Sequence, residues 1–197
     1  MIMKKIMFND RYGLTQAVLS GKKTQTRRIV NDEYDEYRIW QPNESLPFGL
    51  YGYVEEQGWF FIKPKYEIGE VVAIAQSYED AGYGAPEKIL SRLNNTAGWN
   101  NKMFVRSELM PHRIEITGIR IERLQDISDE DCIKEGIEDK KELCCITLFG
   151  FMDYLKDIWI WGRGPKDVYR LLISRISGKS IWNENHFVFV YDFKLVK

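Results

Sequence analysis

Apolar and polar residues alternate over two long stretches of this chain, which predicts two β-strands that each bury one face. In the first stretch, Arg113 to Leu124, isoleucines alternate with charged residues, and the parity changes at Gly118. One extra residue moves every later side chain to the other face, so we expect a β-bulge at Gly118 that bends the strand. The second stretch, Phe187 to Leu195, is predicted to be a core strand.

Further strands are predicted from apolar runs between polar residues. Val71 to Ala75 is continuously apolar, as expected of a fully buried strand, and Met1 to Met7 predicts a first strand. Leu50 to Ile62, with Glu56-Gln57-Gly58 at its middle, predicts a hairpin. The predicted core includes Val71, Ile74, Ile114, Ile116, Phe189 and Tyr191.

Capping residues and a periodicity of 3.6 predict three helices. Each is opened by a polar cap or a proline and is followed by a glycine: Asn9 or Asp10 to Ser20, Ser128 to Gly136, and Pro165 to Gly178. The pattern of Glu138 to Gly164 is mixed, and we interpret it as an inserted helical excursion. A short helix is also predicted over Pro86 to Leu93.

Length and composition favour one ordered globular domain. The chain has 197 residues, of which 44% are hydrophobic. We therefore predict a single domain over 1–197 with insertions at about 31–64, 80–102 and 138–164. No apolar run reaches the roughly 18 residues of a membrane span. The first residues lack the apolar stretch of a signal peptide, so a cytoplasmic location is expected.

Charge and cysteine content limit the partners that the chain can bind. It carries 28 basic and 29 acidic residues, so any binding of nucleic acid must be local. Its three cysteines, Cys132, Cys144 and Cys145, form no C-x-x-C pair, and its two histidines, His112 and His186, are far apart. We expect buried reduced thiols, no metal and no cofactor.

The chemistry is concentrated in the basic segment Gly21 to Arg28, which holds four cations and two threonines. In an extended chain, Lys22, Thr24, Thr26 and Arg28 face one way and Lys23, Gln25 and Arg27 the other. A solvated basic edge strand would give the same pattern. A second candidate is Glu135, predicted in the last turn of its helix, where a carboxylate opposes the helix dipole. That local cost suggests that Glu135 is placed there for another reason.

Two segments together resemble a known family. Gly21, Lys23 and Arg28 fill the Gly-x-Lys-x-x-x-x-Arg motif of the ASCH domain, which belongs to the PUA-like superfamily. The segment from Gly21 to Arg28 is similar to that of the bacterial N(4)-acetylcytidine amidohydrolases. Ile127 to Gly136 is similar to the short helix of those enzymes that carries a glutamate, at the position of Glu135. Trp182 and Asn185 resemble a Trp-x-x-Asn element of longer bacterial and phage ASCH proteins, although His186 stands where a proline is expected.

The resemblance implies an α+β, mainly β fold, in which helices and insertions surround a PUA-like antiparallel β-barrel. It also implies that Lys23 accepts a proton, Thr26 is the nucleophile and Glu135 donates a proton, with N(4)-acetylcytidine or a related acylated cytosine nucleoside as substrate. Crowding by neighbouring cations would lower the lysine pKa from ~10.4, as a base requires. The implied substrate-binding residues are Lys22, Thr24, Arg27, Arg28, Trp182 and Asn185.

Two alternatives stay open. The PUA-like fold is also used by non-catalytic modules that bind RNA or nucleotides, in which the four cations Lys22, Lys23, Arg27 and Arg28 would contact phosphate. A protein-interaction domain that keeps the motif only as a relic is the third interpretation. The aromatic-rich segment from Asn31 to Pro64 is predicted either to pack on the barrel or to offer a stacking platform for a base.

Overall fold

The structure is a computed structural model that describes residues 3–30, 34–40, 49–83, 97–141 and 147–196. Within these ranges the fold is α+β and mainly β, with eleven strands in three sheets. The strands are β1 (Lys5–Ile6), β2 (Gln25–Ile29), β3 (Glu36–Trp40), β4 (Gly49–Val54), β5 (Gly58–Ile62), β6 (Val71–Ile74), β7 (Arg113–Arg123), β8 (Glu138–Lys141), β9 (Thr147–Asp153), β10 (Ile158–Gly162) and β11 (Phe187–Val196).

The helices are short and lie between the strands. They are α1 (Leu14–Leu19), α2 (Asp129–Lys134), α3 (Pro165–Ser177) and α4 (Ile181–Glu184), with single 3-10 turns at Asp10–Tyr12, Lys102–Phe104, Ser107–Leu109 and Leu124–Asp126. No helix in the described ranges is long and apolar enough to cross a membrane.

The central sheet has five strands in the order β1-β6-β7-β11-β2. All neighbours are antiparallel except β1 and β6, which run parallel. Within the described ranges β1 and β2 are the sheet edges, and no ladder closes the sheet into a barrel. The mostly antiparallel character predicted from the sequence is confirmed.

The predicted bulge lies where β7 pairs with β11. Asp192 pairs with Gly118, but the next residue, Phe193, pairs with Ile116, so Thr117 is the extra residue. Close approach of the strands favours glycine at this point, because a Cβ on Gly118 would lie 3.2 Å from the Asp192 carboxylate. The position of the bulge is therefore confirmed to within one residue.

Five of the six predicted core residues are buried: Ile74, Ile114, Ile116, Phe189 and Tyr191. Val71 is the exception, since 38% of its surface is exposed. It is the first residue of β6, and the packed layer covers only the three residues that follow it. The apolar run therefore predicted the strand correctly, but burial begins at Val72 instead of Val71.

The described parts of the segment from Glu138 to Gly164, residues 138–141 and 147–164, are not helical, and the predicted helical excursion is wrong there. Strands β8, β9 and β10 form an antiparallel sheet of their own. Gly150 leaves room for the Trp161 ring on the neighbouring strand, since a Cβ there would lie 2.3 Å from that ring. Aromatic and β-branched residues in this segment favour strand over helix.

The other local predictions differ in outcome. The Leu50 to Ile62 hairpin is confirmed as β4 and β5, but the first strand contains only Lys5 and Ile6. The first helix starts at Leu14, because Gly13 with φ 65° separates it from the preceding 3-10 turn. The predicted helix over Pro86 to Leu93 lies outside the described residues.

The helices near the candidate residues end as predicted. Ser128 caps α2 by accepting a hydrogen bond from the Asp131 N–H, and Gly136 follows its end with φ 103°. Helix α3 begins at Pro165 and is followed by Gly178. Its buried residues Val168, Tyr169, Leu172 and Ile173 lie on one side, and the helix packs against α2 and β9.

Candidate functional site

The basic segment enters β2 between two helices. Gly21, with φ 75°, ends α1, and the Lys23 N–H donates to the Ala17 carbonyl at 2.9 Å. The Thr24 N–H donates to the Lys134 carbonyl at the end of α2, at 3.0 Å. These bonds place the segment beside the C-terminal end of α2. The predicted alternation is confirmed there, because Lys23, Gln25 and Arg27 all contact carboxylates of α2 or of the residue that follows it.

Lys23 and Glu135 form a buried ion pair at the centre of the site. Lys23 Nζ donates to Glu135 Oε2 at 2.5 Å and to the Glu135 carbonyl at 2.8 Å. Only 2% of Lys23 and 5% of Glu135 is exposed. Burial lowers the pKa of Lys23, and Arg28 and Arg27 act in the same direction, whereas Glu135 opposes the shift. A lysine in these surroundings is a candidate proton acceptor.

Arg27 is saturated with hydrogen bonds inside the protein. Its Nε and Nη2 donate to Glu122 Oε1 at 2.9 and 2.6 Å, and Nη2 also donates to Asp131 Oδ2 at 3.1 Å. Its Nη1 donates to Gln25 Oε1 at 2.6 Å and to Glu135 Oε1 at 3.1 Å. Burial acts to lower the pKa of Arg27, but Glu135 and Glu122 raise it above its usual range. All five donors are used, so Arg27 positions Glu135 and has no donor left for a ligand.

A second arginine completes the network around Arg27. Arg120 donates to Glu122 Oε2 at 3.0 Å, to Asp192 Oδ2 at 3.1 Å and to Asp131. Burial favours the neutral acid at Asp131, but Arg120 outweighs it with the help of Lys134 and Gln25, so the Asp131 pKa is lowered. Each carboxylate that holds Arg27 therefore has another cationic partner.

The predicted catalytic residues Lys23, Thr26 and Glu135 all line one cavity of about 680 Å³. This volume falls within the range of small-molecule sites, roughly 300–1,000 Å³. Arg28 also lines the cavity, donates to the Met7 carbonyl at 2.7 Å and lies 5.9 Å from the centre of the Phe8 ring. The remaining wall is mostly apolar and includes Phe8, Leu14, Leu124, Leu172, Ile173 and Ile176.

The implied transfer of a proton from Thr26 to Lys23 requires a contact between the threonine hydroxyl and the lysine amine. Among the described residues, the Thr26 hydroxyl forms no hydrogen bond with Lys23, whose amine is directed to Glu135. Thr26 is itself 5% exposed and pairs with Tyr191 of β11 in the sheet. The structure thus brings the three residues to one cavity with the lysine bound to the acid.

Four predicted binding residues do not line this cavity. Lys22 is exposed and pairs with Glu138 at 3.2 Å, and Thr24 contributes only its backbone to the contacts around β2. Trp182 and Asn185 hold α4 against the end of β7. The Trp182 carbonyl accepts from Gln125 Nε2 at 2.7 Å, and Asn185 Oδ1 accepts from the Gln125 N–H at 2.8 Å.

The four cations predicted to contact phosphate do not form one surface. Lys23 and Arg27 are buried, with 2% and 6% exposed, whereas Lys22 and Arg28 are accessible. That aspect of the prediction is wrong, because the alternation of side chains along β2 turns Lys23 and Arg27 toward the carboxylates.

Sequence reasoning missed three residues of the site: Glu122, Asp131 and Tyr169. The carboxylates hold Arg27, and Tyr169 lines the cavity on α3. Burial raises the pKa of Tyr169 well above its usual value, and nearby Glu135 adds to the shift. The sequence does contain a signal for Tyr169. It follows Val168 and lies three residues before Leu172, so it belongs to the apolar stripe of a predicted helix.

No metal or redox centre is evident in the segments of the chain that the structure describes. They contain no group of three or more His, Cys, Asp or Glu side chains that could hold a metal ion. Cys132 is a buried free thiol, as expected. Cys144 and Cys145 lie outside the described residues.

Comparisons of the chain with protein-family models, curated proteins and solved structures find no match.

Proposed function

We propose that this chain is an ASCH-type protein that removes the acyl group from N(4)-acetylcytidine or a related acylated cytosine nucleoside. The observation that carries the proposal is the meeting of Lys23, Thr26 and Glu135 at one cavity, although Lys23 and Glu135 are 112 residues apart in the sequence. The mostly antiparallel sheet, bent by the bulge at Gly118, is in keeping with a PUA-like barrel. We interpret β3 to β5 and β8 to β10 as additions to that barrel.

The Lys23–Glu135 pair can supply both a base and an acid. One proton transferred from Nζ to Oε2 along the 2.5 Å hydrogen bond leaves a neutral amine and a carboxylic acid. Burial lowers the Lys23 pKa and so favours the neutral amine. In this state Lys23 can take the hydroxyl proton of Thr26, and Glu135 can give its proton to a leaving group.

Amide cleavage would then proceed in two steps. The Thr26 oxygen attacks the acyl carbon as its proton moves to Lys23. Glu135 protonates the N4 nitrogen as the carbon–nitrogen bond breaks, which releases cytidine and leaves an acyl ester on Thr26. Water then attacks the ester and releases the carboxylic acid, while its second proton restores the threonine hydroxyl.

Turnover of N(4)-acetylcytidine by the purified protein tests the proposal, with cytidine and acetate measured separately. Thr26→Val, Lys23→Met and Glu135→Gln keep the side-chain size and remove one function each. Each is expected to lower turnover by roughly 100-fold or more, the usual contribution of a positioned acid or base. Thr117→Val is the matched control, since Thr117 is exposed on β7 and outside the cavity.

The expected result requires that the variants stay folded. Cooperative unfolding in urea establishes this for each protein before its turnover is compared. If wild type and Thr26→Val hydrolyse the substrate at equal rates, the nucleophile assignment is wrong. If folded wild type releases no cytidine at all, the hydrolase proposal fails.

One observation favours the second candidate, a non-catalytic module that binds a cytidine-type nucleoside or RNA. Lys23 Nζ makes two contacts to Glu135 and, among the described residues, none to the Thr26 hydroxyl. A lysine held as an ammonium in this way cannot take a proton. Binding of cytidine to the wild type without turnover of its acetylated form would select this candidate.

A further inference from the structure

A second cavity, of about 430 Å³, lies next to the first. The two share Met7, Arg28 and Ile29 as lining residues, so Arg28 stands at the boundary between them. A ligand that extends past Arg28 from the first cavity therefore reaches the second.

The two cavities differ in how their cations are paired. The second is lined by four cationic side chains, Lys5, Arg28, Lys63 and Lys65, and its described lining contains no aspartate or glutamate. The first is lined by five cations, Arg11, Lys23, Arg27, Arg28 and Lys102, and by the carboxylates Asp10 and Glu135. All of these cations except Arg28 form ion pairs with carboxylates in the described part of the protein. An anionic group on a ligand is thus disfavoured beside Glu135 and favoured on the far side of Arg28.

Two of these cations are free to bind. Lys5 donates to the carbonyls of Met103 and Val105 at 2.6 and 2.8 Å, and Lys63 pairs with Glu67 at 3.0 Å. Arg28 uses Nη2 for the Met7 carbonyl and keeps its other donors. In the described ranges Lys65 has no ion pair, and its Nζ lies 5.5 Å from the centre of the Tyr66 ring.

The wall that carries Lys65 is held in place by two tyrosines. The Tyr191 hydroxyl accepts from the Lys65 N–H at 2.9 Å, and the Tyr66 hydroxyl donates to the Lys5 carbonyl at 3.1 Å. Both tyrosines line the cavity, and their rings meet edge to face at 5.2 Å. These contacts fix the backbone from which the Lys65 side chain extends toward the cavity.

We propose that the second cavity binds a phosphate attached to the ribose of the nucleoside in the first cavity. The ligand is then a cytidine nucleotide, free or within an RNA strand, rather than a free nucleoside. Arg28 and Lys65 contact the phosphate. This inference rests on the proposed occupancy of the first cavity by a cytosine nucleoside, and it does not require that the protein be catalytic.

Calorimetric titration of the full chain with cytidine, cytidine 5′-monophosphate, cytidine 3′-monophosphate and inorganic phosphate tests the inference. At least one nucleotide is expected to bind about tenfold or more tightly than cytidine, the effect of one good charge-assisted hydrogen bond. This advantage should shrink as salt is raised, whereas cytidine affinity should change little. A cytidine-containing trinucleotide as a further arm distinguishes a strand from a free nucleotide.

Lys65→Gln removes the unpaired cation and is expected to abolish most of the advantage of the nucleotide over cytidine. Lys179→Gln is the matched control, because it removes the same charge at a position that lines neither cavity. It should leave both affinities unchanged. A Lys65→Gln variant that keeps the full advantage would overturn the assignment.

The outcomes separate this inference from the proposed function. Equal affinity for cytidine and both nucleotides overturns the phosphate site, whether or not the protein hydrolyses N(4)-acetylcytidine. Tight nucleotide binding without any hydrolysis supports the phosphate site and removes the hydrolase. If neither cytidine nor any nucleotide binds, the inference is overturned.

Discussion

Adjacent arginines on β2 provide the sharpest test of the structure. Arg27 directs all five donors to acceptors that are buried or partly buried, and its side chain is 1% exposed. Arg28 points the opposite way, is partly exposed and, within the described part of the chain, forms one hydrogen bond, to the Met7 carbonyl. Arg27→Met and Arg28→Met remove the same charge from neighbouring positions, so a difference in stability reports only what each side chain contacts.

The expected magnitudes follow from those contacts. Removing one partner of a buried ion pair costs about 3–5 kcal/mol. After Arg27→Met, Glu122 and Asp131 keep Arg120, and Glu135 keeps Lys23, so we expect the lower end, about 3 kcal/mol. Arg28→Met removes one hydrogen bond, to a neutral carbonyl, at a partly exposed site. We expect this variant to lower the free energy of unfolding by about 1 kcal/mol or less.

Urea unfolding followed by tryptophan fluorescence and circular dichroism measures the difference. If the free energy of unfolding falls by about 2 kcal/mol per M urea, a difference of about 2 kcal/mol between the two variants separates their unfolding midpoints by about 1 M urea. The two probes must agree for each variant, since the comparison assumes two states. Equal midpoints for Arg27→Met and Arg28→Met would refute the burial of Arg27 and the assignment of strand faces.

Three further predictions concern Tyr66, Cys132 and two glycines. Burial raises the pKa of Tyr66 to about 12, above its usual value of 10.0, so between these values the folded protein keeps a proton that the unfolded protein releases. In urea unfolding, the stability of the wild type relative to Tyr66→Phe should therefore be constant below pH ~10 and decline as the pH approaches ~12. Burial also raises the pKa of Cys132 to about 12, so mass spectrometry should find it unmodified by thiol reagents until urea unfolds the protein. Gly136→Ala and Gly178→Ala place alanine at similar positive φ, 103° and 108°, and each should cost about 1–3 kcal/mol in the same assay, the cost of a residue in a sparsely populated backbone region. Of these two variants, only Gly136→Ala should also lower turnover, because residue 136 adjoins Glu135 and the added Cβ would lie 3.3 Å from Leu14. Equal turnover of the two variants would contradict this.

Features encoded within a few residues were predictable from the sequence. The bulge at Gly118, the Ser128 cap and the hairpin turn before Gly58 each depend on the backbone preferences of a few neighbouring positions. The faces of β2 were predictable for the same reason, since alternation of side chains is a property of the extended backbone itself.

Pairings between distant segments were not predictable. Arg27 is held by Glu122 on β7 and by Asp131 on α2, and neither carboxylate carries a local mark of its partner. The sheet of β8 to β10 was missed for a related reason. Short apolar runs are compatible with a helix or a strand, and here the packing of Trp161 over Gly150 on the neighbouring strand favours the sheet.

Glu135 shows how a local conflict in the sequence can point to a distant partner. A carboxylate at the C-terminal end of a helix is repelled by the helix dipole, so its position after α2 costs stability by itself. In the structure Lys23 and Arg27 contact its two carboxylate oxygens, Oε2 at 2.5 Å and Oε1 at 3.1 Å, and offset that cost. Replacing Glu135 with glutamine removes the repulsion but leaves Lys23 buried beside a neutral partner. If the pair is the main reason for this placement, Glu135→Gln must destabilise the protein; an increase in its urea midpoint would show that the dipole dominates.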